Sequence, residues 1–172
     1  MKSFVAILVT SVALATGTAL AAGPNDAQIA AIVVTANQVD IDAGKLAGAR
    51  SHTAEVKAFA RRMVTDHSGV NKSAVELVTR LKVTPEDNVT SQSLQDGGKQ
   101  NMAALRKLRG KAFDHAYVDH EVAYHQQVID AVDQTLIPNA SNADLKALLI
   151  QVRPAFVAHL EHAKQLQSSL AK

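Results

Sequence analysis

The 172-residue chain has no cysteine and no tryptophan, and only two tyrosines and four phenylalanines. Without cysteine there can be no disulfide, no thiolate metal site and no lipid-bearing cysteine behind an export signal. Sheet cores draw on aromatic and β-branched side chains, so scarce aromatics beside abundant Ala, Leu and Val favour helices packed on helices. A surplus of one charge is also missing. Setting aside residues 1–21, which contain one basic residue, Lys2, leaves 17 basic and 16 acidic side chains, a balance that offers no electrostatic case for nucleic acid.

The one long apolar stretch lies at the start. Lys2 forms a positive leader, Phe4 to Ala15 an apolar run, and Ala19-Leu20-Ala21 a small-x-small cleavage motif, the pattern of a secretory signal over residues 1–21. The run is too short and too rich in Ala and Thr to favour a membrane span. Cleavage would leave residues 22–172 as a single domain with no stable membrane insertion, periplasmic or secreted; retention of the signal as an anchor is the alternative.

The remaining chain reads as four long helices. From Val56 to Leu81 one heptad seam runs through Val56, Ala60, Met63, His67, Val70, Ala74, Leu77 and Leu81, with His67 as its only polar member. A preceding helix over Asp26 to Ala49 has the seam Ile29, Ile32, Ala36, Val39, Ala43 and Leu46, with Asp40 beside it and Gly44 permitting a close contact. Ser51 or Thr53 caps the second helix, and Thr84-Pro85-Glu86-Asp87 looks like a new helix start. The polar stretch to Gly98 reads as a crossover, with a short helix around Lys99 to Leu108. The third long helix, Lys111 to Thr135, places Glu121 and His125 on its apolar arc. The fourth, beyond the turn Ile137 to Asn142, carries His159 at the centre of a seam from Leu145 to Leu170, with Pro154 expected to kink it one turn earlier.

Each helix thus turns an ionisable residue inward: Asp40, His67, His125 and His159. Imidazole nitrogen and carboxylate oxygen suit Zn, Cu, Fe or Mn, and a bundle interior is a usual place for such a site. Glu121 is a possible additional ligand, with Asp66 and Tyr117 as partners behind the ligands. The alternative is a metal-free polar network satisfied internally and by Tyr117 or Tyr124. Helical register gives mixed support. Folding the first pair near residue 51 sets Asp40 opposite Met63, one turn from His67. Folding the second pair about residue 139 sets His125 opposite Arg153, six residues or about 9 Å from His159, and Glu121 matches His159 better. Di-iron oxidase chemistry needs acid-x-x-His pairs, and this chain has none. Histidines 52, 115, 120 and 162 fall on outward faces.

Four segments together, Asp40-x-Asp42-x-Gly44-x-Leu46-Ala47, Lys57-Ala58-Phe59-Ala60-x-x-Met63-Val64-x-Asp66-His67, Phe113-Asp114-x-x-Tyr117-Val118 with His125, and Pro154 with His159-Leu160-x-x-Ala163, resemble a ferritin-like domain-of-unknown-function family of exported bacterial proteins often labelled outer-membrane proteins. The resemblance implies an all-α, ferritin-like antiparallel four-helix bundle with a short extra helix in the crossover, and carries over an acidic position at 40 and histidines at 67, 125 and 159. It departs from the family at Asp40, where Glu is usual, and at Arg153, where an apolar residue is common. Two functions follow as expectations: an exported, non-catalytic bundle holding a transition-metal ion in storage, sensing or stress protection, or a structural or protein-interaction module of the envelope, as monomer or homo-oligomer. The signal reading makes a direct prediction: N-terminal sequencing of the native protein should begin near Ala22 or Gly23, and an intact N-terminus in the membrane fraction would overturn it.

Overall fold

The computed structural model describes residues 23–171; the signal-like segment 1–21 lies outside the described residues. Its elements are α1 (Asp26–Arg50), α2 (Ala54–Leu81), α3 (Val89–Arg106), α4 (Gly110–Ala131), a π-helical segment Val132–Leu136, the single turn α5 (Ile137–Asn139) and α6 (Ala143–Leu170). Among the described residues there is no strand, and no helix is long and apolar enough to cross a membrane. The molecule is an all-α helical bundle.

Local chemistry sets the helix starts. Asn25 accepts from the Gln28 amide at 2.9 Å while the Gln28 side chain accepts from the Asn25 amide, a reciprocal cap for α1. Thr53 occupies the cap position of α2, but its hydroxyl donates to Asp114 of α4 at 2.6 Å and leaves the α2 amides alone. The expected helix start at Thr84-Pro85 does not occur. Glu86 instead donates its amide to the Ala27 carbonyl at 3.0 Å, which holds this segment across the beginning of α1. Asn88 then caps α3, accepting from Thr90 and Ser91.

The crossover helix is therefore long, 18 residues, where the polar sequence suggested a short helix beginning near Lys99. The physical reason is that α3 buries only a narrow stripe, Ser91, Gly98 and Leu105 with half-buried Leu94 and Met102, against α1, and its other faces meet water. Gly98 sits where a Cβ would come within 2.8 Å of a Val39 methyl. α3 covers this side of α1, where Val39, Ala36 and Leu46 are half-buried, and the seam facing the bundle is Val33, Asn37, Asp40, Gly44 and Ala47.

The long helices form two antiparallel pairs, α1 with α2 and α4 with α6, and α3 carries the chain back along the bundle between them. One apolar layer joins the start of α1, the end of α2, the end of α4 and the start of α6, through Ile29, Leu77, Val132 and Leu149 among others. A second joins the opposite ends through Ala47, Phe59, Leu105, Tyr117 and Leu166. The inward ionisable residues lie between these layers. α6 continues through Pro154, whose missing amide frees the carbonyl of Ile150 on an exposed stretch of the helix.

At Gly44 α1 and α2 approach closely: a Cβ there would stand 3.0 Å from both the Ala60 carbonyl oxygen and a Val64 methyl. Gly48 and Gly69, in the same two helices, have nothing within 4 Å of that position. Gly44→Leu should therefore destabilise by about 1–3 kcal/mol through overpacking, whereas Gly48→Ala and Gly69→Ala should each stabilise by about 0.5–1 kcal/mol. Urea denaturation of the three variants decides this.

Candidate metal centre

α1 contributes Asn37 and Asp40, α2 Asp66 and His67, α4 Tyr117, Glu121 and His125, and α6 His159. Asp40, His67, Glu121, His125 and His159 are each no more than 3% exposed. The three imidazole rings form a triangle with centroids 5.2 to 5.5 Å apart. One ligand-competent atom from each of the three histidines lies within 4.8 Å of the others, and the same holds for Asp40, Glu121 and His125. His125 belongs to both groups.

Each of these three histidines has one ring nitrogen committed to an oxygen. His67 Nδ1 is 2.6 Å from Asn37 Oδ1, and because the Asn37 amide nitrogen donates to the Val33 carbonyl, that oxygen accepts from the imidazole. His125 Nδ1 donates to the Glu121 backbone carbonyl at 3.0 Å. His159 Nε2 donates to Asp66 Oδ2 at 2.9 Å. These bonds assign the tautomers and leave lone pairs on His67 Nε2, His125 Nε2 and His159 Nδ1. None of those three atoms has a hydrogen-bond partner, nor does any carboxyl oxygen of Asp40 or Glu121. His67 Nε2 and Asp40 Oδ2 are 2.9 Å apart yet not aligned as a hydrogen bond, and His125 Nε2 is 3.5 Å from the same oxygen.

Unpartnered buried polar atoms are costly, and here they converge from four helices. A metal ion would satisfy the three histidine nitrogens, and Asp40 lies against two of them. Three imidazole nitrogens with one or two carboxylates suit Zn(II), Cu(II), Fe or Mn, and ring nitrogens fixed from behind by oxygen acceptors are the usual support for metal-bound histidine. The residues present fit such an ion.

The electrostatics divide the two carboxyls. Burial opposes ionisation of Asp40, but the adjacent His67, with His125 adding to it, outweighs burial and holds its carboxyl below the usual value. Burial and the neighbouring Asp40 charge push Glu121 well above the usual carboxyl range, so it holds its proton at neutral pH. Burial lowers His125, and it lowers His159 to about 4 against the partial support of Asp66. Tyr117 is buried beside Glu121, and burial with that neighbour keeps its phenol protonated.

The structure brings Asp40, His67, His125, His159 and Glu121 together and sets Asp66 against His159. Register explains how. The turn before α6 comprises residues 140–142, later than the pivot at 139, so residue 123, midway between Glu121 and His125, lies opposite His159. In the first pair the turn is 51–53, which sets Asp40 opposite Val64, within one turn of His67. Tyr124 stays out of the cluster and donates to the Ala36 carbonyl at 3.0 Å. Sequence reasoning missed Asn37, although its place three residues before Asp40 on one helical face was a usable signal. His120 was expected to face out but is half-buried and stacked on Tyr124; His115 and His162 are half-buried too, and His52 is exposed. Arg153 forms a two-pronged pair with Asp133 of the π segment, both bonds 2.6 Å, on the surface.

Fold and site together define a class: a helical bundle with a three-histidine, two-carboxylate cluster in its core. The chain belongs to the family described as a domain of unknown function (DUF4142), whose model matches residues 11–166. Its fold is similar to a solved structure, "CopM in the Cu(II)-bound form", with a TM-score of 0.65 and 16% identity over 85% of this chain and 98% of that one. No curated protein matches the chain.

The pH response of the metal-free protein follows from His159. Its folded value, about 4, lies below the ordinary 6.5, so between these values the unfolded chain binds more protons and stability falls as the solution is acidified. The expected slope approaches about 1.4 kcal/mol per pH unit, and His159→Gln, which cannot titrate, should flatten it. Chemical denaturation at several pH values between 7 and 4 in the presence of a chelator measures both.

Proposed function

We propose that this protein is an exported, non-catalytic bundle that binds one transition-metal ion in its core, in a storage, sensing or stress-protection role. The observation that carries the reading is the set of three histidines, each tied through one nitrogen to an oxygen and each with its other nitrogen unpartnered, in a buried group that shares His125 with a second group of Asp40 and Glu121. Asp40, His67, His125 and His159 would hold the ion, with Glu121 available once it loses its proton. Two antiparallel pairs joined by one crossover support the ferritin-like relationship, a fold in which metal sites occupy the bundle core. Copper is the first ion to test, because the structural neighbour was solved bound to Cu(II). Export rests on the signal-like residues 1–21.

Metal analysis of untagged protein should find close to one equivalent. A ligand at a hundredfold excess over its Kd adds about 2.7 kcal/mol, which for a domain of this size raises Tm by about 5–10 °C. His67→Ala and His159→Ala should each abolish both the equivalent and the rise, and His52→Ala, at an exposed position, should change neither. Melting curves of the wild type unchanged by Cu, Zn, Mn and Fe would sink the metal reading and favour an envelope interaction module with a metal-free polar core.

A further inference from the structure

An apolar cavity of about 200 Å³ adjoins the cluster on one side. Its walls include Ile32, Leu94, Val132, Leu149 and Phe156, and its rim includes the exposed Thr90 and Gln127. Close-packed interiors rarely leave such a space, since the lining atoms forfeit their contacts. The π-helical segment helps to shape it, and π-bulges recur at functional sites.

The polar end of the cavity is formed by Asn37, Asp40, His67, Tyr124 and His125, with the Asn37 amide and the Tyr124 hydroxyl already donating to the Val33 and Ala36 carbonyls; Glu121 and His159 do not line it. The atoms left without partners on this face are both Asp40 carboxylate oxygens, His67 Nε2 and His125 Nε2. The two ring protons are already directed elsewhere, to Asn37 and to the Glu121 carbonyl, so all of these atoms accept and none donates. A carboxylate or phosphate ligand would find only lone pairs and a negative charge. A hydroxyl would supply one hydrogen. A primary ammonium supplies three, with a charge opposite to that of Asp40.

We propose that the cavity binds a small apolar primary amine, its ammonium held by Asp40, His67 and His125 and its apolar body against Ile32, Val132 and Phe156. Volume sets the size class: an apolar cavity of about 150 Å³ takes benzene, so this one has room for a single ring and a short arm but not for a lipid chain. The inference stands apart from the metal reading, although the same atoms serve both, so amine and metal exclude one another.

Benzylamine is the probe, added to full-length mature protein after dialysis against a chelator, with thermal stability and calorimetry as readouts. One saturable site is expected, with toluene, which lacks the head, and methylammonium, which lacks the body, each binding at least tenfold more weakly. Ala131→Phe, which fills the cavity away from its polar end, should weaken benzylamine at least tenfold and leave metal binding intact; Ala36→Leu does the same from α1 if the first variant folds poorly. Absence of a saturable benzylamine site, toluene binding as tightly as benzylamine, or undiminished binding to both filled variants would each overturn the proposal. A flat metal titration alongside intact benzylamine binding would defeat the metal reading and support this one.

Discussion

Two carboxyls and three imidazoles placed midway along a bundle lose their water, and an interior of low polarity returns little unless every lone pair and proton finds a partner. The structure meets that constraint only in part. The three histidines donate their ring protons to Asn37 Oδ1, the Glu121 carbonyl and Asp66, while the inward lone pairs of the same rings remain unmet. A metal-free core satisfied throughout would show those nitrogens paired. The unmet ring nitrogens and the two Asp40 oxygens are acceptors without donors, and it is this that points to a cation.

The rest of the architecture holds that polar layer in place. Apolar layers above and below exclude water from the ends, and the Phe156 ring lies parallel to that of His67 with centroids 5.4 Å apart. Gly44 lets α1 approach α2 closely enough for Asp40 to reach His67. α3 closes the outer side of α1, and its Gly98 accepts Val39 where a larger residue would push the two apart. On the surface, the Arg153 fork on Asp133 links α6 to the π segment, the same segment whose Val132 and Leu136 line the apolar cavity.

The cavity and the cluster are one feature seen from two sides. Toward Glu121 and His159 the cluster is closed and packed, as an ion site requires; toward Asp40, His67 and His125 it opens onto apolar walls. A hydrated ion gains nothing from such walls, whereas an apolar molecule with a donating head gains from both the walls and the end.

Periodicity by itself determined the helical class, the four long helices nearly to their ends, and the inward faces of Asp40, His67, His125 and His159, because a 3.6-residue repeat fixes which side chains share a face. It also marked Gly44 as a close-contact position. Tertiary structure alone decided what lies at the same height on different helices. The pivot at residues 140–142 and the π segment bring Glu121 and His125 level with His159, and neither could be counted from a pattern that stops at the turn. The length of α3 was hidden for a related reason: a helix that buries one narrow stripe on a single neighbour has a mostly polar sequence, and only α1 beneath it shows that Ser91, Gly98 and Leu105 form a face. Asn37 became a partner of His67 in the same way, through a contact across thirty residues of sequence that depends on the α1–α2 register.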